Sequence, residues 1–180
     1  MYLYHYYEQE TGPFLNLSDL PINEAQKILS NIKQINETYI AQRSDVYMQR
    51  RIELETMARE LFILKGGKPV RNVPHYMVIE ECEWLQSWYR QGTFIKIPVS
   101  EFDTNTLSFS YGDMFPTFSL NVKDGKEYRK QIYTYNEIIK VIEKYGLPQT
   151  WNKDGKFGPE RYIEVQVWSD EPISKYYSRK

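Results

Sequence analysis

Hydrophobic residues change their spacing several times along this chain, and each change predicts an element. Residues 2–7, YLYHYY, are dense in strand-forming side chains and predict a first β-strand. A loop punctuated by Gly12 and Pro13 follows. Ile22, Ala25, Ile28, Leu29, Ile32 and Ile35 then recur at helical spacing, marking one face of an amphipathic helix. Pro21 is tolerated there because a first-turn residue has no intrahelical N–H bond to lose. Tyr39, Val46, Leu54, Met57, Ala58, Leu61 and Leu64 predict a second, longer helix over about 38–64, with Arg43 and Arg50 on the same stripe. Gly66, Gly67 and Pro69 stop it.

From Lys68 onward the pattern turns mostly to strands. VPHYMVIE, TFIKIPVSEF, TLSFSY and RYIEVQVW are the candidates, and Pro98 marks the second as an edge strand because proline cannot donate to a ladder. ECEWLQSWYRQG predicts a short helix closed by Gly92. Thr134 and Glu137 have capping-box spacing ahead of Ile138, Ile139, Val141, Ile142 and Tyr145, so a helix over 135–145 is expected, ended by Gly146 and Pro148. QTWNKDGKFGPE reads as a surface loop. The expected fold is α+β: a mainly antiparallel or mixed sheet of five to six strands, packed by two N-terminal helices and one helix in the C-terminal half. One domain is expected over 1–180, with a strand and two helices in 1–65 and a strand-rich part in 68–180; GGKP is the only internal seam.

Composition narrows the class. A chain of 180 residues with 41% hydrophobic and 26% charged residues is ordinary for a globular domain. A net charge of −1 gives no global field to recruit nucleic acid or anionic membrane. The single cysteine, Cys82, excludes an intrachain disulfide, and neither a secretory leader nor an apolar span of membrane length is present, so a cytoplasmic location is expected. The unusual feature is aromatic: 16 tyrosines, 8 phenylalanines and 4 tryptophans, a content that suits half-buried sheet faces, interfaces and ring-stacking ligand sites alike.

Most chemical motifs are absent. There is no GxxxxGK[ST] loop, GxGxxG turn, HExxH pair or GxSxG elbow, and with His5 and His75 the only histidines no metal site is expected. NKDGKFG begins like a calcium loop but lacks its terminal glutamate. A Cys82–His75 thiol pair is disfavoured by Glu80, Glu81 and Glu83, whose charges oppose a thiolate.

Three short segments hold the remaining candidates. In PHYMVI, His75 shares a face with Met77 and Ile79, while Tyr76 and Val78 take the other. In SFSYGDM, Ser108 and Ser110 lie opposite Tyr111, and Gly112-Asp113 makes a turn. In YIEVQVWSDEP, Ile163, Val165 and Val167 should face the core, leaving Tyr162, Glu164, Gln166 and Trp168 on the second face. Glu164 among those rings would be partly desolvated and its pKa raised, unless the face is open to water.

The blocks PHYM, SFSYGDM, IYTYNEIIKVIEKYGLP and YIEVQVWSDEPI together resemble an uncharacterised family of bacterial cytoplasmic proteins, with which no function is associated. His75, the Ser108–Tyr111 strand and Glu164, in that order, also bear a weaker likeness to ADP-ribosyltransferases. That likeness implies NAD as cofactor, with Glu164 stabilising the ribosyl cation, His75 orienting the ribose, Tyr111 stacking on nicotinamide and Arg71 meeting the pyrophosphate. A preceding helical stretch and the order Glu164-Val165-Gln166 depart from the pattern.

Three functional readings follow. The first is a small-molecule site for a nucleotide-like or other ring-bearing ligand, with ADP-ribosyl transfer its enzymatic form. The second is a protein-interaction or homo-oligomerisation module anchored by Trp84, Trp88 and Tyr89. The third, least favoured by the neutral charge, is RNA or single-strand binding through Arg43, Arg50, Arg51, Lys65, Lys68 and Arg71.

Overall fold

Alternation along the apolar runs sets the two faces of one sheet. The computed structural model describes residues 1–35, 43, 44 and 46–177. Its strands are β1 (Tyr2–Glu8), β2 (His75–Ile79), β3 (Gly92–Pro98), β4 (Leu107–Tyr111) and β5 (Ile163–Val167). They form a five-stranded sheet in the order β3-β1-β2-β5-β4, and every neighbouring pair is antiparallel. Three longer helices, α1 (Ile22–Ile35), α2 (Tyr47–Leu64) and α5 (Tyr135–Tyr145), flank it together with the single turns α3 (Glu83–Gln86), α4 (Met114–Thr117) and α6 (Pro148–Trp151). The fold is α+β, with β3 on an edge and Pro98 at its end, as the sequence predicts.

The first face of the sheet is dry. Leu3 pairs with Ile79 and Ile97, and Val165 with Met77 and Phe109, so the inward residues of neighbouring strands stack in register. Leu107, Tyr111, Ile163 and Val167 extend the same core, and α5 closes it with Ile138 fully buried. The expected capping box holds the start of α5: the Thr134 N–H donates to Glu137 Oε2 at 2.8 Å.

The second face carries Tyr4, Tyr6, Tyr76, Val78, Tyr162, Glu164 and Trp168, and it is covered in two separate places. Leu54, Ala58 and Phe62 of α2 pack with Met114, Phe118, Ile132 and Trp168 over the β4–β5 side. Around α3, Cys82, Leu85, Trp84, Trp88 and Tyr89 pack on Tyr4, Tyr6 and Val78.

Several expectations are corrected. The second long helix begins at Tyr47 rather than near 38, and Tyr39 lies outside the described residues. Val46 and Leu64 are exposed; the inward stripe is Met48, Leu54, Glu55, Ala58 and Phe62, so a polar position was missed on the buried side. Among the described side chains of the α1 stripe, Ala25 and Leu29 are buried while Ile22 and Ile28 remain open. The segment read as a surface loop after Pro148 starts with a helical turn and is pinned from inside. Asn152, fully buried, donates to the Gly158 and Glu160 carbonyls and accepts from the Phe157 N–H at 2.9 Å. Trp84, Trp88 and Tyr89 are half-buried.

One histidine is committed to the fold. His5 Nε2 accepts the Phe14 N–H at 2.8 Å and its Nδ1 meets the Tyr76 carbonyl at 2.9 Å, so the proton resides on Nδ1 and the ring is neutral. Phe14, at φ 58°, stacks on that ring with centroids 4.1 Å apart. A charged ring would lose the Phe14 bond, and burial holds the His5 pKa down at about 4. Because the folded value is depressed, this contribution to stability is complete above the unfolded value of about 6.5 and disappears as the pH falls through about 4. Nitrogen-detected NMR should find His5 as the neutral Nδ1–H tautomer at pH 5.5; a ring already half-charged there contradicts this assignment.

Candidate functional site

The polar part of the second face is built from β4 and β5. Antiparallel register places Ser108 opposite Gln166 and Ser110 opposite Glu164, and paired residues share a face. These four side chains are buried, so each polar atom needs a partner. Trp168 Nε1–H donates to Ser108 Oγ at 2.8 Å, Ser108 donates to Gln166 Oε1 at 2.8 Å, and Gln166 Nε2 donates to Glu164 Oε1 at 3.0 Å. This one-way relay fixes the orientation of the amide and locks one oxygen of Glu164. Ser110 sits outside it, donating to the Gly112 carbonyl at 2.7 Å.

The relay ends at a cleft. A cavity of about 1050 Å³ opens between the two coverings of the second face, lined by Tyr4, Tyr6, Tyr76 and Tyr162 from the sheet side. Trp84, Trp88 and Tyr89 form one wall, Tyr47 and Phe115 another, and Ile28 and Ile32, the uncovered part of the α1 stripe, border it. Tyr47 and Phe115 stack with centroids 5.0 Å apart. Such ring-rich concavities with few polar groups are the usual form of a small-molecule site.

Glu164 and Asp113 are the acids of the cleft floor, while Glu8 and Asp154 also line the cleft. Glu164 is only 8% exposed, and its Oε2 has no hydrogen-bond partner among the described residues. Burial first, and then the Asp113 charge, push its pKa well up. Asp113 is set by the turn that follows β4, where Gly112 adopts φ 106°, a left-handed conformation that strains any side-chain-bearing residue. There Asp113 caps α4, accepting the Phe115 N–H at 2.7 Å on Oδ1 and the Tyr162 hydroxyl at 2.9 Å on Oδ2. Burial raises its pKa as well.

A buried ion pair braces the same floor and was not anticipated. Glu55 Oε1 accepts from Arg51 Nε at 2.9 Å, Tyr76 Oη at 2.8 Å and Ser18 Oγ at 2.8 Å. Arg51 also donates to Asn16 Oδ1 at 2.8 Å and lies over the Tyr76 ring, 4.7 Å from its centroid. The signal was present as Met48, Arg51, Glu55, Ala58 and Phe62, a stripe spaced by three and four residues that runs through the ion pair.

The ten sequence-predicted site residues divide into three groups. Glu164, Asp113, Tyr76 and His75 all line the cleft. Ser108, Gln166 and Trp168 form the relay behind it, and Ser110 is buried at the same depth. Tyr111 and Arg71 are elsewhere. Tyr111 pairs with Ile163 on the first face, donating to the Gly146 carbonyl at 2.8 Å and accepting from Trp151 Nε1 at 3.2 Å. The expected convergence of His75, Tyr111 and Glu164 is therefore not formed: the sheet separates Tyr111 from Glu164, and a nicotinamide-stacking role in this cleft is not open to it. Arg71 is committed to structure, bridging Asp19 and Asp170 while Nε donates to the Val73 carbonyl at 3.0 Å, so the pyrophosphate role is not free either. His75 stands at the cleft's end with Nε2 2.9 Å from both Asp170 Oδ1 and the Tyr177 hydroxyl. Burial pushes the Cys82 thiol up, which removes the thiolate reading.

Among the described residues no group of three or more His, Cys, Asp or Glu side chains could hold a metal ion, and no helix is long and apolar enough to cross a membrane. No protein-family model, curated protein or solved structure matches this chain.

Two outcomes test the site's construction. Ser108→Ala strands the Trp168 N–H and a Gln166 oxygen in a dry interior, and urea unfolding should show a loss of about 1–3 kcal/mol. Glu164→Gln tests the acid. A carboxyl whose folded pKa is raised contributes fully below its unfolded value and loses that contribution as the pH climbs through the folded one. The Gln variant should therefore unfold at a higher urea concentration than the parent at pH 8 and at nearly the same one at pH 4; equal midpoints at both pH values would show that Glu164 is not desolvated.

Proposed function

We propose that this protein binds a small ring-bearing molecule, nucleotide-like in size, in the cleft on the second face of its sheet. The observation that supports this most directly is Glu164, a carboxyl with one oxygen locked by the Gln166 amide and the other without a hydrogen-bond partner among the described residues, set in a hollow walled by aromatic rings. Rings supply stacking area that tolerates many shapes, and the few polar groups supply orientation. Folding gains nothing from leaving such a carboxyl unpaired, whereas a ligand that meets it recovers the cost of desolvation.

The cleft serves this reading better than the alternatives drawn from sequence. Of the basic residues proposed for nucleic acid, Arg51 is paired to Glu55, Arg71 bridges two aspartates, Lys65 pairs with Glu137 at 3.0 Å and Arg50 with Glu53 at 3.1 Å. A basic groove that tracks a phosphate backbone needs cations free to face it.

Native-state binding must raise the unfolding midpoint, by about 2.7 kcal/mol of added stability when ligand exceeds Kd a hundredfold. Adenosine, guanosine, NAD and indole-3-acetate at millimolar concentration span the ring sizes that the cleft admits. At least one should raise the midpoint and quench the fluorescence of Trp84 and Trp88, which line the wall. No shift and no quenching across the series would overturn the reading.

A further inference from the structure

We propose that the floor of this cleft selects a positively charged nitrogen: the part of the ligand that meets Glu164 and Asp113 is an organic ammonium or a cationic ring nitrogen. This rests on the small-molecule reading above and specifies its chemistry. The geometry begins with two carboxyls from different elements, one on β5 and one on the turn before α4, facing one hollow. Among the described residues their hydrogen-bond partners are neutral donors: the Gln166 amide for Glu164, and the Phe115 N–H and Tyr162 hydroxyl for Asp113. Neutral donors orient a carboxylate without cancelling its charge, as a cation would.

The cations that line the cleft are Arg43, Arg51 and Arg161; the charges of Arg43 and Arg51 reach Asp113, but among the described residues none of the three donates a hydrogen bond to either carboxyl. Arg51 is neutralised by Glu55 and held by Asn16. Arg43 lies over the Tyr47 ring, 4.3 Å from its centroid, and Arg161 over the Trp84 ring at 4.1 Å, both packed against the walls. Arg161 is further tied to the Lys153 carbonyl. With the Arg51–Glu55 pair summing to zero, Glu164 and Asp113 are two carboxyls without an ion-pair hydrogen bond among the described residues. Burial holds their protons on, so an arriving cation is the group that would stabilise their charged form.

The rings complete the case. Tyr162 lies two residues from Glu164 on the same face, and Tyr76 pairs with Gln166 on the neighbouring strand, so phenol rings flank the carboxyl. An aromatic face attracts a cation through its quadrupole, and cages of such rings are a known solution for ammonium groups. Walls and floor therefore ask for the same species. A neutral ring would satisfy the walls and leave the floor unpaired; an anion would be repelled by it.

Three probes of one shape separate these cases: tyramine, its neutral counterpart 4-(2-hydroxyethyl)phenol, and the anion 4-hydroxyphenylacetate. Calorimetry or tryptophan quenching at pH 7.5 should find tyramine bound at least about tenfold more tightly than the neutral compound, and the anion weakest. Glu164→Gln keeps the shape of the floor and removes a charge, so the preference should fall to within about twofold, in a variant whose circular dichroism matches the parent. Equal binding of the neutral probe overturns the charge selection and leaves the ring-binding cleft standing. A preference that survives Glu164→Gln overturns its assignment to this floor, and no binding by any probe overturns both readings.

Discussion

A carboxylate and an amide sit on a sheet face that helices cover, and the rest of this architecture answers to that fact. Burial of a polar side chain is tolerated only when its hydrogen bonds are replaced, so the strand next to Glu164 and Gln166 must offer polar groups at matching positions. The serines of β4 do so because the antiparallel register sets Ser108 against Gln166, with Trp168 donating from above. A slip of one residue would turn Phe109 and Tyr111 toward the relay and strand every member of it. Register, core and cleft are thus specified together.

The two faces differ because their coverings differ. On the first, α5 lies against β4, and Phe14, Val99, Phe102 and Ile173 fill in around it, so the face is sealed. On the second, α2 covers β4 and β5 while the residues about α3 cover β1 and β2, and the two do not meet. The gap between them is the cleft. Its position follows from helix packing, but its chemistry follows from the tyrosines, which alternation directs outward from the sheet and which line it even where α2 and α3 pack on them.

Much of the fold was legible in the chain. Strand positions, the 135–145 helix with its capping box, and the assignment of Ile163, Val165 and Val167 to one face all followed from period and punctuation. Glu164 among rings was legible for the same reason. The convergence with Tyr111 failed on a quantity that alternation does not supply, namely which strand pairs with which. Ser110 and Tyr111 point to opposite faces, and only the pairing of Ser110 with Glu164 shows which of the two shares a face with the acid. The buried Arg51–Glu55 pair escaped notice because a stripe was read by apolar residues alone, and charged side chains that bury each other leave no hydrophobic mark.

That pair and Glu164 make an instructive contrast. Arg51 and Glu55 compensate one another's charge, and Tyr76 and Ser18 add hydrogen bonds to the same Glu55 oxygen, so the cluster ties α2 to β2 and to the N-terminal loop even though Glu55 Oε2 has no hydrogen-bond partner among the described residues. Glu164, on the same floor, has among the described residues an amide as its hydrogen-bond partner. A core that needed a polar side chain there for register could use glutamine, which would accept from Gln166 without a charge to desolvate. Retaining the acid makes the native state less stable at neutral pH than it need be. Features that break a local rule without a structural return are characteristic of sites shaped by something other than folding. This mismatch lies at the bottom of the large cleft and beside a second acid, and so the same physics that makes Glu164 a poor core residue makes it a good receptor for a group that a ligand brings.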